Sequence, residues 1–106
     1  KWIIETGALS RQEIRDISIR IARIVQLHFS DYSDKVFIKT STGYYGGYGA
    51  TVKDVKTIAS VSGNLKIKAS GGVSNLSTCL ALIEAGAHRI GTSKAQLIFK
   101  QQEDEF

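Results

Sequence analysis

Two lysines of this sequence lie in short apolar runs that are each followed by glycine. Lys39 precedes Gly43 by four residues, and Lys68 precedes Gly71 by three. An amine attacks a carbonyl carbon only when it is unprotonated, and a second positive charge in a partly dry pocket favours that neutral form. The pair therefore has the chemistry of a Schiff-base lysine with a neighbouring lysine that keeps it reactive.

A second interpretation of the same lysines stays open. Strict alternation puts Lys68 on one strand face with Lys66 and Ser70, and it puts Lys39 on one face with Phe37. Such a face can be the solvated side of a sheet, in which case the lysines have no catalytic role. Alternation by itself does not choose between solvent and a pocket.

Two glycine-rich segments have the composition of a phosphate site. Gly71 and Gly72 follow the run that holds Lys68, and the segment Gly91 to Ser93 follows the last apolar run. Glycines expose backbone N–H groups, and the N-terminus of a following helix adds partial positive charge, so these segments can cradle a phosphate. Turn geometry accounts for the glycines equally well.

Short apolar runs alternate with longer segments of helical period, which is typical of repeated βα units around a parallel sheet. The predicted strands are Trp2 to Thr6, Val36 to Thr40, Leu65 to Ala69 and Arg89 to Gly91. The loop from Ser41 to Gly49 is long for a βα connection, so we expect it to serve a site.

Capping signals mark where the intervening helices begin. The predicted caps are Ser10 with Glu13 for a helix over 11–29, Thr51 for the second helix, Ser74 or Asn75 for the third, and Thr92 or Ser93 for the last. The third helix is expected to bury Leu76, Leu80 and Ile83 and to stop at Gly86. The last helix is expected to fray into the acidic tail. The predicted order is βαβαβαβα.

Four βα units are half of the eight that close a TIM (β/α)8 barrel of about 250 residues. Residue 1 is a lysine instead of a methionine, and an apolar strand follows at once. We therefore expect residues 1–106 to form a partial domain, four consecutive parallel βα units of such a barrel whose N-terminal half is missing. Open strand edges and an uncovered apolar face predict association, as a homo-oligomer or by completion with a second copy. An open doubly wound sheet is disfavoured, because no GxGxxG turn follows the first strand.

The composition excludes several classes of protein. With 42% hydrophobic and 23% charged residues the chain is too apolar to be disordered, and it lacks an uncharged apolar run of about 18 residues that could span a membrane. The net charge of +4 is not clustered, so no nucleic-acid partner is expected, whereas a small phosphorylated ligand is compatible. One cysteine and two scattered histidines give neither a disulfide nor metal-ligand spacing, which favours a reducing, cytoplasmic compartment.

Five segments, taken together, form a specific pattern that covers nearly the whole chain. They are Lys1 to Gly7, Phe37 to Gly43, Gly49 to Thr51, Lys68 to Val73 and Arg89 to Ser93. In this order and spacing they resemble the C-terminal half of the deoxyribose-phosphate aldolase family. Each segment alone is a weak signal.

The resemblance implies a class I aldolase in a βα barrel that reversibly cleaves 2-deoxy-D-ribose 5-phosphate to acetaldehyde and D-glyceraldehyde 3-phosphate, a reaction of deoxyribonucleotide catabolism. It puts Lys39 at the Schiff-base position, Lys68 at the position of the lysine that perturbs it, and Lys1 at that of a further active-site lysine. It assigns phosphate binding to Gly43, Gly71, Gly72, Val73, Gly91, Thr92 and Ser93. It implies no metal and no organic cofactor, since the protonated imine is itself the electron sink.

Some features depart from the family's pattern. The family's catalytic aspartate lies on a strand earlier than Lys1, so residues 1–106 alone are not expected to be active. Ser74 stands where the family commonly has arginine, and Lys94 stands where a second serine often follows Ser93. We hypothesise that Lys94 replaces some of the lost positive charge. The alternatives are another lysine-dependent aldolase of a phosphorylated sugar, or an inactive half-barrel that only binds phosphate or self-associates.

Overall fold

The computed structural model describes residues 1–105, which form four strands and four α-helices. The strands are β1 (Trp2–Ile3), β2 (Phe37–Lys39), β3 (Lys66–Ser70) and β4 (Arg89–Gly91). The helices are α1 (Arg11–His28), α2 (Val52–Ala59), α3 (Leu76–Ala85) and α4 (Ala95–Glu105), and short 3-10 turns lie at Thr6–Ala8 and Ser30–Lys35. The predicted βαβαβαβα order is confirmed.

The four strands are parallel and lie in chain order, β1-β2-β3-β4. Parallel connections are right-handed almost without exception, so strands that follow chain order carry all their helices on one face. A doubly wound sheet instead reverses its strand order and places helices on both faces. The described chain therefore has the arrangement of consecutive βα units of a barrel, as predicted, and its four units would be half of the eight that close one.

One apolar core joins the sheet to its helices. Ile38 of β2 and Ile67 of β3 are fully buried and belong to the same cluster as residues of all four helices, including Ile14, Val55 and Leu82. The residues that flank them along each strand point to the opposite side of the sheet. We call that other side the open face, meaning the sheet face opposite the helices.

Local capping fixes where the helices start. The Ser10 hydroxyl accepts a hydrogen bond from the backbone N–H of Glu13 at 3.1 Å, and the Glu13 carboxylate accepts one from the backbone N–H of Ser10 at 2.9 Å. Thr51 caps α2 by accepting from Asp54, and Asn75, not Ser74, caps α3 by accepting from Thr78. The capping box and the Thr51 cap predicted from sequence are confirmed.

Three local predictions differ from the structure. Leu80 and Ile83 of α3 are about half exposed, while Leu82 is fully buried, because this helix is apolar on several faces and periodicity does not select one of them. The acidic tail continues α4 to Glu105 instead of fraying. The ladder of β1 is regular only over Trp2–Ile3, because the backbone leaves the strand conformation at Glu5.

The central strands should dominate stability. Ile38 is fully buried between β1 and β3, so we expect Ile38→Ala to lower the free energy of unfolding by about 2–5 kcal/mol, from lost burial and the cavity left behind. Leu27 of α1 is 76% exposed, and Leu27→Ala should change stability by less than about 0.5 kcal/mol. Urea denaturation followed by circular dichroism measures both, and equal losses would contradict this placement of the core.

Candidate active site

Lys39 and Lys68 are direct neighbours across two parallel strands. The pairing register sets Ile3 beside Lys39, Lys39 beside Lys68, and Lys68 beside Arg89, and adjacent strands lie about 4.8 Å apart. Because the alternate residues Ile38 and Ile67 point into the core, these side chains emerge together on the open face. The juxtaposition expected from sequence is thus present in the structure.

The Lys68 side chain lies near other positive charges on the open face. Partial burial lowers the pKa of the Lys68 ammonium below its ordinary value, and the nearby positive charges of Lys1, Lys39 and Arg89 add to the lowering. Both burial and the neighbouring positive charges disfavour the protonated form of Lys68. Lys1 therefore lies close enough to belong to the same lysine cluster.

A single basin collects most of the residues that the sequence marks. It has a volume of about 710 Å³ and lies where the strands end, so its floor and rim come from consecutive βα loops. Its lining includes Lys39, Gly43, Lys68, Gly71, Gly72, Val73, Gly91, Thr92 and Ser93, together with Thr42, Tyr44, Ser70, Ser74 and Lys94. Lys1 stands outside this lining, beside Lys68.

Buried hydroxyl groups fasten the end of β2 to the end of β3. Thr40 Oγ1 donates to the Ser70 carbonyl at 3.2 Å and accepts from the Ser70 backbone N–H at 3.1 Å. Ser70 Oγ donates to the Ser41 carbonyl at 2.7 Å, and Ser41 Oγ donates to Thr40 Oγ1 at 3.2 Å. We call these contacts of Thr40, Ser41 and Ser70 the hydroxyl seam. Because all three residues are buried, the seam fixes the backbone that follows Lys39.

Two glycines are required by close approach. A Cβ on Gly49 would lie 2.2 Å from the Gly71 carbonyl oxygen, so the long loop after β2 packs directly on the loop after β3. A Cβ on Gly91 would lie 3.1 Å from Lys68 Cε and 2.9 Å from Ser70 Cβ. Gly91 therefore leaves room for the Lys68 side chain, a role that the sequence did not reveal.

The loops after β3 and β4 are also joined to each other. The Thr92 hydroxyl donates to the Val73 carbonyl and accepts a hydrogen bond from the Lys94 backbone N–H at 2.9 Å. This linkage holds the two glycine-rich segments side by side just before α4 begins. Their backbone N–H groups and the start of α4 give this wall of the basin a partial positive charge.

Other features lie away from the basin. A second cavity of about 320 Å³, lined by Ser30, Ser33, Ser62 and Gly63 among others, lies at the opposite end of the strands. Among residues 1–105, no three His, Cys, Asp or Glu side chains gather where they could hold a metal ion. Within the same range, no helix has the length and apolar character that crossing a membrane demands.

Comparison with known proteins supports the resemblance. The curated deoxyribose-phosphate aldolase of Desulfitobacterium hafniense is 47% identical over 94 residues, 88% of this chain and 38% of that protein. The one from Staphylococcus carnosus is 43% identical over 106 residues, 99% of this chain and 44% of that protein. The chain is related to the deoxyribose-phosphate aldolases. No family model matches it.

The solved structures agree with this relationship. A solved structure of an aldolase superposes with a TM-score of 0.76 and 38% identity, covering 97% of this chain and 42% of that one. The chain thus spans about two-fifths of the length of the deoxyribose-phosphate aldolases and of the solved aldolase that it matches. Together with the four parallel βα units, this identifies the described residues as a partial barrel of that kind.

The charge cluster makes a testable prediction. Lys1→Gln removes one of the positive charges that lower the pKa of Lys68, so the pKa of Lys68 should rise towards its ordinary value. Titration of reductively ¹³C-methylated lysines by NMR, assigned with Lys68→Arg, measures the shift. Lys66→Gln is the matched control, because Lys66 lies on the same strand and is not among the groups that perturb Lys68. An unchanged Lys68 in Lys1→Gln would contradict this proximity.

Proposed function

We propose that the protein carrying this chain is a class I aldolase that reversibly cleaves 2-deoxy-D-ribose 5-phosphate to acetaldehyde and D-glyceraldehyde 3-phosphate. The observation that carries the proposal is the in-register pairing of Lys39 with Lys68 on the open face, above which glycine-rich loops form one basin. The names of the curated relatives supply the substrate. A small phosphorylated sugar is therefore the proposed ligand.

Lys39 is the proposed nucleophile. Its neutral amine adds to the C1 aldehyde of the open-chain sugar, one proton is taken up from solvent and water leaves, which forms a protonated imine. Loss of the C3 hydroxyl proton then breaks the C2–C3 bond, whose electron pair moves to the imine and gives an enamine. D-Glyceraldehyde 3-phosphate departs, protonation at C2 restores the imine, and hydrolysis releases acetaldehyde and the free lysine.

Lys68 has the proposed role of keeping Lys39 reactive. A positive charge on either amine disfavours a second one beside it, so the two compete for protonation. The lowered pKa of Lys68 itself, set first by partial burial and then by Lys1 and Lys39, also makes Lys68 the rival nucleophile. Lys1, which lies beside Lys68, is proposed to tune the same cluster.

The wall formed by the β3 and β4 loops is the proposed phosphate site. Gly71, Gly72 and Val73 supply one side of it and the segment Gly91 to Ser93 the other, with Gly43 at the rim. Backbone N–H groups bind a phosphate without adding a further side-chain charge next to the amines. This arrangement would hold the sugar with its aldehyde end towards Lys39.

Borohydride trapping tests the nucleophile. The gene product that carries this chain, incubated with acetaldehyde and sodium borohydride, should gain one ethyl group on Lys39, located by peptide mass spectrometry. Lys39→Met should abolish the adduct, whereas the control Lys56→Met, at an exposed position of α2, should not. An adduct on Lys68 in the unaltered protein would overturn the assignment of Lys39.

Two alternative functions predict different results in these experiments. Another lysine-dependent aldolase would form the same adduct but prefer a different phosphorylated aldose in a substrate panel. A half-barrel that only binds phosphate or self-associates would form no adduct. A homo-oligomer and a cytoplasmic location accordingly remain proposals for the whole protein.

Lys94 supplies a further test, because it lines the phosphate wall while Lys100 lies exposed farther along α4. If Lys94 contacts the substrate phosphate, Lys94→Ala should raise the KM for 2-deoxy-D-ribose 5-phosphate by about tenfold, the effect of losing one charge-assisted hydrogen bond. Lys100→Ala should leave the KM unchanged. Steady-state kinetics of the gene product decide, and an unaltered KM in Lys94→Ala would refute the role.

A further inference from the structure

The backbone at the end of β1 contains one unusual residue. Among residues 1–105, Glu5 is the one residue other than glycine with a positive φ, at 55°. The ladder to β2 is uneven at this point, since the N–H of Ile4 donates to the Lys39 carbonyl and that of Thr6 to the Thr40 carbonyl. Between these two hydrogen bonds the chain of β1 advances by two residues, whereas that of β2 advances by only one. Glu5 is the extra residue of a bulge, a device that redirects a side chain.

The redirected carboxylate reaches the loop after β2. Glu5 Oε2 accepts a hydrogen bond from the Thr42 hydroxyl at 2.7 Å, and both carboxylate oxygens lie 3.3 Å from the Thr42 backbone nitrogen, which donates. The same Thr42 hydroxyl accepts a hydrogen bond from the Tyr44 backbone N–H at 3.1 Å. The Glu5 carboxylate therefore fixes the first turn of the loop, because it holds Thr42, whose hydroxyl in turn holds the backbone of Tyr44.

This turn is a wall of the basin. Thr42, Gly43 and Tyr44 line it, whereas Glu5 does not. Lys39 directly precedes Thr40, which the hydroxyl seam anchors to Ser70 through hydrogen bonds that do not involve the Glu5 side chain. A change at Glu5 should therefore move the wall without moving the amine.

We propose that Glu5 is a positioning residue that fixes the Thr42 to Tyr44 wall against the phosphorylated substrate, and that it has no part in imine formation. This inference rests on the proposed aldolase function. The left-handed backbone of Glu5 is the conformation from which its carboxylate reaches Thr42. The side chain acts through hydrogen bonds to the wall and does not touch the reacting atoms.

The first test is structural and needs no turnover. In Glu5→Gln and in Thr42→Val, amide hydrogen exchange at Thr42 and Tyr44 should accelerate, whereas Thr42→Ser, which keeps the hydroxyl, should retain slow exchange at Tyr44. Glu13→Gln is the matched control, since Glu13 also accepts a backbone N–H but caps α1 far from the basin. Exchange in Glu5→Gln equal to that of the unaltered protein would overturn the proposal.

The second test uses kinetics of the gene product that carries this chain. Glu5→Gln should raise the KM for 2-deoxy-D-ribose 5-phosphate about tenfold, because substrate binding must then also order the loosened wall, with little change in kcat. Borohydride trapping of acetaldehyde on Lys39, which needs no phosphate wall, should proceed at the unaltered rate. Combining Glu5→Gln with Thr42→Val should add nothing to the larger single effect.

Different results would overturn the positioning role of Glu5 and the proposed aldolase function. A lower kcat with unchanged KM, or slower trapping in Glu5→Gln, would overturn the positioning role of Glu5 and leave the aldolase function intact. Absence of any adduct in the unaltered protein would overturn the aldolase function. The exchange rates at Thr42 and Tyr44 would still decide whether Glu5 holds the wall.

Discussion

The carboxyl ends of β2 and β3 are joined by buried hydroxyl groups, and the geometry of the basin depends on that seam. Thr40, Ser41 and Ser70 satisfy one another and the adjacent backbone, so neither strand can slip relative to the other without leaving buried polar groups unpaired. A shift of one residue would send Lys39 or Lys68 into the apolar core. The seam therefore holds the strand register that places the amines of Lys39 and Lys68 side by side.

Placing the amines of Lys39 and Lys68 together on one sheet face costs free energy, because their positive charges repel each other. The side chains and loops beside them accommodate this arrangement. Arg89 lies over the Phe37 ring at 4.3 Å, which covers an apolar side chain that would otherwise be exposed on the open face. Gly91 leaves the Lys68 side chain room towards the basin. If phosphate binds to the β3 and β4 loops as proposed, its negative charge would offset the remaining repulsion between the amines.

The features predicted from sequence are those set by local rules. The capping box at Ser10 and the strand order follow from spacing alone, and Lys39 meets Lys68 because each lies near the end of its run. The contact of Glu5 with Thr42 joins residues far apart in the chain through a bulge, and alternation does not reveal bulges. The approach of Gly49 to Gly71 likewise depends on how two loops pack, and in α3 several apolar faces competed for burial.

The central claim is that a phosphorylated sugar lies in the basin with its aldehyde at Lys39. A crystal structure of the Lys39→Met gene product with 2-deoxy-D-ribose 5-phosphate, which that variant should leave uncleaved, tests it most directly. We expect the phosphate of the sugar to lie on the Gly71 to Val73 and Gly91 to Ser93 loops and its C1 to point at residue 39. Sugar phosphate in the opposite cavity beside Ser33 and Ser62, or a basin empty at saturating ligand, would contradict it.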